Sequence, residues 1–180
     1  MVDFADILKP TGADNHPGLR ATEILIIDAA DCDTVPELTA SPTTDAHLTT
    51  ITGDFETTAP KGFAKFYCTQ EQGDMKWKQV GPLDSASFEN SLNLGHPGLS
   101  VAVQAMYRKW KNKDLYVIPT THDGTMRLYG NPSCKARIRM VEGQTGQKGG
   151  DDFASKIEIY YYDNGPAPLF TGDAPLIGES

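Results

Sequence analysis

The sequence predicts a mainly β protein, an antiparallel β-sandwich or partly closed barrel with one flanking α-helix at about residues 97–111. Short stretches in which apolar and polar residues alternate recur along the chain, which is typical of half-buried strands. Only one stretch has the apolar spacing of a helix. The connections between stretches are short enough for antiparallel pairing, so we expect a helix packed on the flank of β-sheets.

The predicted helix follows His96-Pro97-Gly98, which is expected to end the preceding strand. Pro97 suits the first helical position, because the N–H that it lacks would have no partner there. The helix dipole favours cations at the other end, where several basic residues gather. The apolar stripe is Leu99, Ala102, Val103, Met106 and Trp110, and the basic residues are Arg108, Lys109, Lys111 and Lys113.

Roughly nine strands are predicted around this helix. The clearest hairpin joins Leu115–Ile118 to Met126–Tyr129 through the turn signal Asp123-Gly124. The remaining predicted strands are Thr22–Ile27, His47–Phe55, Phe63–Thr69, Met75–Val80, Ser87–Leu94, Lys135–Val141 and Phe153–Tyr162.

The 180 residues are expected to form one domain, residues 1–180, because no linker or internal repeat divides them. Proline and glycine mark residues 1–20 as an N-terminal arm and residues 164–180 as an extended C-terminal tail. No apolar run approaches the roughly 20 residues that cross a bilayer, and no signal peptide is recognisable at the start, so no membrane partner is predicted.

The net charge of −8 is unevenly distributed. Residues 1–60 contain 11 acidic and 2 basic residues, whereas residues 61–180 contain 13 and 14. Such an acidic field repels a phosphate backbone, which argues against a DNA-binding module but not against a protein that lets DNA pass without adhering. Asp28, Asp31 and Asp33 could suggest a cation site, but they lack the EF-hand pattern, and a solvated acidic turn is the favoured interpretation.

No catalytic or metal-binding pattern stands out, so the chain is predicted not to be an enzyme and to need no cofactor or metal. Three separated cysteines without a CxxC motif fit buried thiols in a reducing compartment. The four histidines have no ligand spacing relative to them, and no G-x-S-x-G motif is present. These residues are Cys32, Cys68, Cys134, His16, His47, His96 and His122.

The most distinctive loop is the glycine-rich segment 142–152. Its Lys148 does not have P-loop spacing, and the loop lies between strands rather than before a helix. We interpret it as a mobile loop at the end of a β-hairpin, which orders against a partner.

Several segments in order resemble the tail tube (major tail) proteins of tailed bacteriophages, particularly those of the Bacteroidetes-phage type. The resemblance spans roughly residues 60–172. Besides the helix, the segments are Lys61–Phe63, Asp84–Leu92, His96–Gly98, Asn112–Ile118, Gly146–Asp152 and Pro168–Gly172.

This resemblance implies a structural virion protein that assembles into rings, commonly hexamers, which stack into a hollow tube conducting DNA. It implies self-association, contacts with other tail proteins, transient non-specific passage of DNA, and a place in the virion tail after assembly in the host bacterial cytoplasm. From their density, the candidate carboxylates of an acidic lumen are Asp28, Asp31, Asp33, Asp54 and Glu56. The candidate inter-ring loop comprises Gly143, Gly146, Lys148, Gly149, Gly150, Asp151 and Asp152, and the extended termini are expected to bridge rings too.

Two alternatives remain open from the sequence. Another virion β-protein, such as a capsid decoration or tail-terminator subunit, would form trimers or a single ring without stacking. A small-molecule-binding β-barrel would need an apolar cavity with converging polar groups.

Overall fold

A computed structural model describes residues 18–58, 60–98, 100–144 and 154–177. Within them the chain forms twelve strands and two α-helices. The strands are β1 Leu19–Asp28, β2 Cys32–Thr34, β3 Thr50–Ile51, β4 Glu56–Thr57, β5 Ala64–Phe66, β6 Asp74–Val80, β7 Ser87–Pro97, β8 Leu115–Thr121, β9 Met126–Arg127, β10 Arg137–Gln144, β11 Ala154–Asp163 and β12 Leu169–Phe170. The helices are α1 Asp45–Thr49 and α2 Val101–Trp110.

The strands form two main sheets and one small one. The larger has six strands in the order β3-β12-β9-β8-β1-β5, and the second has four in the order β10-β11-β7-β6. β2 pairs with β4 alone. Among the described residues, the strands pair antiparallel except β12 with β3, and an isolated bridge between Phe63 and Leu176 is also parallel. The predicted fold class is confirmed: the protein is mainly β, its sheets do not close into a barrel, and the arrangement fits a β-sandwich with a flanking helix.

The main core lies between the two large sheets. β1 and β8 contribute side chains such as Ile26 and Val117, and the four-stranded sheet contributes alternate residues such as Leu92 and Ile159, all at most 1% exposed. The rings of Tyr129 and Tyr161 meet edge-to-face within this core, 5.5 Å between centroids. The alternation in Ser87–Leu94, and in the part of Phe153–Tyr162 that the structure describes, is therefore the pattern of a sheet with one buried face.

A second core covers the far face of the six-stranded sheet. Tyr116 and Ile118 of β8 point into it, whereas Leu115 and Val117 point into the main core. β8 is therefore buried on both faces, which explains its continuous apolar sequence. The covering layer is residues 29–63 together with the last part of the chain, and it contributes Phe55, Phe63 and Phe170 among others.

The predicted helix is present but begins later than expected. Pro97 ends β7, opposite Ala154 of β11, and α2 begins at Val101. Ser100 is its N-cap, because its side-chain oxygen accepts a hydrogen bond from the backbone N–H of Val103 at 3.3 Å. The sheet pairing thus carries the strand through the proline, and the helix begins where a capping side chain is available.

Part of the predicted apolar stripe of α2 faces the core. Val103 is buried, and Met106 and Trp110 are partly buried against the main cluster, whereas Ala102 is exposed. Leu99 lies outside the described residues.

The strand predicted over His47–Phe55 is wrong except at Thr50–Ile51, because residues 47–49 are helical and residues 52–55 belong to no strand. Residues Asp45–Thr49 form the short helix α1, and only Thr50–Ile51 are extended in a strand. The side-chain oxygen of Thr44 accepts from the backbone N–H of His47 at 3.4 Å, so a local cap outweighs the β propensity of the threonines.

The structure describes only part of the predicted arm and tail. Leu19 and Arg20 belong to β1 rather than to an arm, and residues 1–17 lie outside the described residues. Residues 164–177 pack on their own chain: Phe170 of β12 is 2% exposed and Leu176 bridges to Phe63.

Gly130 offers a test of the turn that leads from the larger sheet toward β10. Its φ is +100°, and a Cβ there would lie 2.9 Å from the backbone nitrogen of Ala136 and 3.0 Å from the carbonyl oxygen of Leu115. We expect Gly130→Ala to lower the free energy of unfolding by about 1–3 kcal/mol. Urea unfolding measures this, and Gly165→Ala, whose Cβ would meet nothing within 4 Å, is the matched control. Equal losses in both variants would contradict the assigned geometry.

Candidate functional site

The exposed side of the four-stranded sheet, called the outer face below, carries a connected network of polar side chains. Leu92, Leu94, Ile157 and Ile159 point toward the core, so the side chains between them point outward. The outer face includes Lys76, Lys78, Glu89, Ser91, Asn93, Arg139, Met140, Lys156, Glu158, Tyr160 and Tyr162.

Glu89 is the centre of this network. Its carboxylate accepts a hydrogen bond from Arg139 Nη1 at 2.8 Å, lies 3.2 Å from Lys78 Nζ, and accepts from the Tyr162 hydroxyl at 3.1 Å. Arg139 also donates to Glu158 at 3.1 Å. One network therefore connects all four strands across the sheet.

The network favours the charged form of Glu89 and fixes the position of the Arg139 side chain. Hydrogen bonds from Arg139 are the main cause that lowers the pKa of Glu89 to about 2. The guanidinium carbon of Arg139 lies 4.2 Å from the centre of the Tyr160 ring, a cation–π contact. Tyr160 and Tyr162 in turn meet edge-to-face, with centroids 5.9 Å apart.

Glu89 predicts an acid-sensitive contribution to stability. Because its pKa is lower in the folded chain than the ordinary value of about 4.3, folding favours the charged form, and this contribution is lost as pH falls from about 4 toward 2. We expect Glu89→Gln to flatten the loss of stability over that window, measured by urea unfolding at several pH values. The exposed Glu37→Gln is the control, and an unchanged pH profile in Glu89→Gln would contradict the assignment.

The two outside strands of this sheet are long. Among the described residues β6, with seven residues, pairs only with β7, and β10, with eight, pairs only with β11. Both present mostly exposed side chains, among them Trp77 at 55% and Val141 at 41%. The outside strands of the larger sheet, β3 and β5, have only two and three residues.

The five carboxylates proposed for the lumen lie away from the outer face, and each has a partner. Asp28 pairs with Lys113 at 2.8 Å, and Asp31 pairs with Lys61. Asp33 accepts from the Thr58 hydroxyl and Glu56 from the Thr34 hydroxyl, each at 2.6 Å, and Asp54 accepts from the backbone N–H of Asp173 at 2.8 Å. Asp31, Asp33, Asp54 and Glu56 belong to the layer that covers the second core. The structure thus places them in local contacts within one layer and does not bring them to the outer face.

Of the proposed inter-ring loop, the structure describes only Gly143. It lies near the end of β10, and a Cβ there would meet nothing within 4 Å. The other six residues of that prediction, Gly146, Lys148, Gly149, Gly150, Asp151 and Asp152, lie outside the described residues.

The described cysteines and histidines do not converge. Cys68 is buried, Cys32 and Cys134 are half-buried, and burial chiefly raises the pKa of the Cys32 thiol to about 12. His96 Nδ1 lies 2.9 Å from the carbonyl oxygen of Tyr67. Within the part of the chain that the structure describes, no three His, Cys, Asp or Glu side chains are grouped so as to hold a metal ion. No helix among those residues is long and apolar enough to cross a bilayer.

The Glu89 network was not predicted from the sequence, although part of its signal was present there. Charged residues alternate in three of the four strands, as in Lys76 and Lys78 or Arg137 and Arg139. Which charges meet depends on the register between strands, because Glu89 is opposite Lys78 on one side and Tyr162 on the other.

Comparisons of the chain with protein-family models, curated proteins and solved structures gave no match.

Proposed function

We propose that this chain is a structural virion protein, the subunit of stacked rings that form a phage tail tube. The proposal joins the resemblance of residues 60–172 to one structural observation, the two long outside strands of the four-stranded sheet. In this role the chain binds copies of itself, in rings predicted to be hexameric, and other tail proteins, and it acts in the virion tail after assembly in the host bacterial cytoplasm. It is proposed to be neither an enzyme nor a cofactor-binding protein.

Outside strands of this length favour pairing with another chain. An exposed edge presents a row of backbone N–H and C=O groups that a further strand can satisfy. β6 carries Lys76 and Lys78, residues that discourage unspecific pairing, yet it also exposes Trp77, a residue type enriched at protein interfaces.

The strand directions suit a ring. Four antiparallel strands place β6 and β10 in opposite directions. When identical copies stand side by side in the same orientation, β6 of one copy meets β10 of the next, and the two are antiparallel. The ladder can therefore continue from copy to copy without reversing any subunit, and such a heterologous contact closes into a ring when the rotation allows it.

This arrangement assigns the lumen to the outer face. The opposite face of the four-stranded sheet is covered by the six-stranded sheet, so the thicker layer belongs outside the ring. The lumen would then carry the mixed charges of the outer face, Lys76, Lys78, Arg139 and Lys156 together with Glu89 and Glu158, rather than the five carboxylates that the sequence suggested. Because carboxylates pair with Lys76, Lys78 and Arg139, these three cations are less free to bind a passing phosphate backbone.

The ligand-binding barrel gains no support from the architecture. The sheets do not close into a barrel, and the space between them contains packed side chains such as Tyr129, Tyr161 and Ile24.

Electron microscopy and mass photometry of the purified chain over a range of concentrations test the proposal. We expect annular particles that stack into tubes as the concentration rises. Trimers, or single rings that never stack, would favour a decoration or terminator subunit instead. A monomer at every concentration, including in the presence of isolated tail-tip complexes, would contradict the proposal.

A further inference from the structure

The turn between β6 and β7, residues 81–86 and called the hairpin tip below, carries an unusually exposed apolar side chain. Leu83 is 95% exposed, more than any other large apolar side chain of the described residues. Its backbone is a defined turn: the N–H of Ser85 donates to the carbonyl oxygen of Pro82 at 3.2 Å. Gly81 has a φ of +105°, and a Cβ there would lie 2.6 Å from the carbonyl oxygen of Ser85. The hairpin tip thus presents a leucine to solvent on a compact support.

A mostly apolar depression lies between α2 and the end of β10. Its volume is about 270 Å³, and its lining includes Tyr107 and Arg108 of α2 and Val141 and Gly143 of β10. Tyr107 is fixed there by a hydrogen bond of 2.6 Å between its hydroxyl and that of Ser155.

The hairpin tip and the depression lie at opposite ends of the four-stranded sheet. The hairpin tip precedes Ser87, and Phe88 is opposite Asp163 at that end of β7. At the other end, His96 is opposite Ser155, which in turn is opposite Gly143. β7 has eleven residues, so the two ends are about 33 Å apart.

In a stack of the proposed rings, the hairpin tip and the depression also lie at similar angles around the tube axis. The hairpin tip extends from β6, and the depression borders β10. In the proposed ring β6 stands beside β10 of the neighbouring copy, so a small rotation between rings places each hairpin tip over a depression in the next ring. The charges complement each other in part, since Asp84 follows Leu83 and Arg108 lines the depression, although Glu142 borders it as well.

We propose that Leu83 of one copy inserts into the depression between α2 and β10 of a second copy in the adjacent ring. This inference rests on the proposed tail-tube function and specifies the contact that stacks its rings. The stacking contact is then made by the turn between β6 and β7, and Gly143 forms part of the surface that receives it.

Two variants test this contact, one in the hairpin tip and one in the depression. Leu83→Asp places a charge on the hairpin tip without disturbing the core. Gly143→Phe fills the depression, and the open space around a Cβ at that position permits the larger side chain. Leu48→Asp, at a leucine that is 49% exposed in α1, is the matched control. Thermal unfolding of each monomer establishes that the fold is retained.

We expect Leu83→Asp and Gly143→Phe to form rings but to lose at least about tenfold in tube formation, judged from tube length and the concentration at which tubes appear. Leu48→Asp should stack as the unmodified chain does. The charge exchange Asp84→Arg with Arg108→Asp should stack better than either single change. Tubes of normal length from folded Leu83→Asp would overturn this inference alone. An unmodified chain that forms no ring would overturn the proposed function and this inference together.

Discussion

A proline in β6 is expected to abolish ring formation at concentrations where the unmodified chain assembles. In an antiparallel strand, successive residues direct their N–H groups to opposite sides, so one of Lys76 and Trp77 donates toward β7 and the other toward the open edge. Proline at the open-edge position removes a donor from every subunit contact. An unpaired acceptor costs about 1–3 kcal/mol, which weakens each contact roughly five- to 150-fold.

Lys76→Pro and Trp77→Pro are controls for each other. One of Lys76→Pro and Trp77→Pro should retain the stability of the monomer and lose assembly, whereas the other should lower monomer stability because it interrupts the β6–β7 ladder. Lys76→Thr and Trp77→Thr keep every backbone N–H and serve as controls. Sedimentation velocity and urea unfolding give the two readouts. Normal assembly in both proline variants would show that β6 is not the subunit contact.

Phe170→Ala is expected to lower the free energy of unfolding of the isolated monomer by about 3–5 kcal/mol. Phe170 is 2% exposed, and its ring meets that of Phe55 edge-to-face with centroids 5.6 Å apart. The loss therefore combines less burial with a cavity in the second core. The measurement is urea unfolding at a concentration below assembly.

Phe170→Ala also tests whether residues 164–177 pack on their own chain. Ile177→Ala, at a side chain that is 61% exposed in the same segment, should change stability by less than about 0.5 kcal/mol. If residues 164–177 left their own chain to bridge rings, Phe170→Ala would change assembly and leave the dilute monomer unaffected. That outcome would contradict the packing described above.

Local patterns were sufficient for much of the fold. The continuous apolar residues of β8, the alternation in β7 and β11, and the turn at Asp123-Gly124 all correspond to observed elements. These features depend on which side chains a strand buries, and that information is contained in a few neighbouring residues.

Other features depend on competition between side-chain hydrogen bonds and secondary-structure propensity, or on pairing between strands that are far apart in sequence. Thr44 and Ser100 set the starts of α1 and α2 through single side-chain hydrogen bonds, and propensity alone did not predict this. The positions of β6 and β10 at the edges follow from the pairing of β7 with β11, strands that are far apart in sequence. The candidate site could not be predicted from the sequence, because the contact between Glu89 and Arg139 depends on the order of the strands in the sheet.

Site-specific cross-linking between β6 and β10 tests the central claim most directly. Lys76→Cys and Met140→Cys place thiols on the outer face of the two edge strands, in chains whose native Cys32, Cys68 and Cys134 have been replaced by alanine. A short bismaleimide should link a mixture of the two variants into dimers and should link neither variant alone. A chain carrying both thiols should yield a ladder that ends at the number of subunits in the ring. Links within Lys76→Cys alone, or no links in assembled particles, would contradict a ring in which β6 of each copy pairs with β10 of the next.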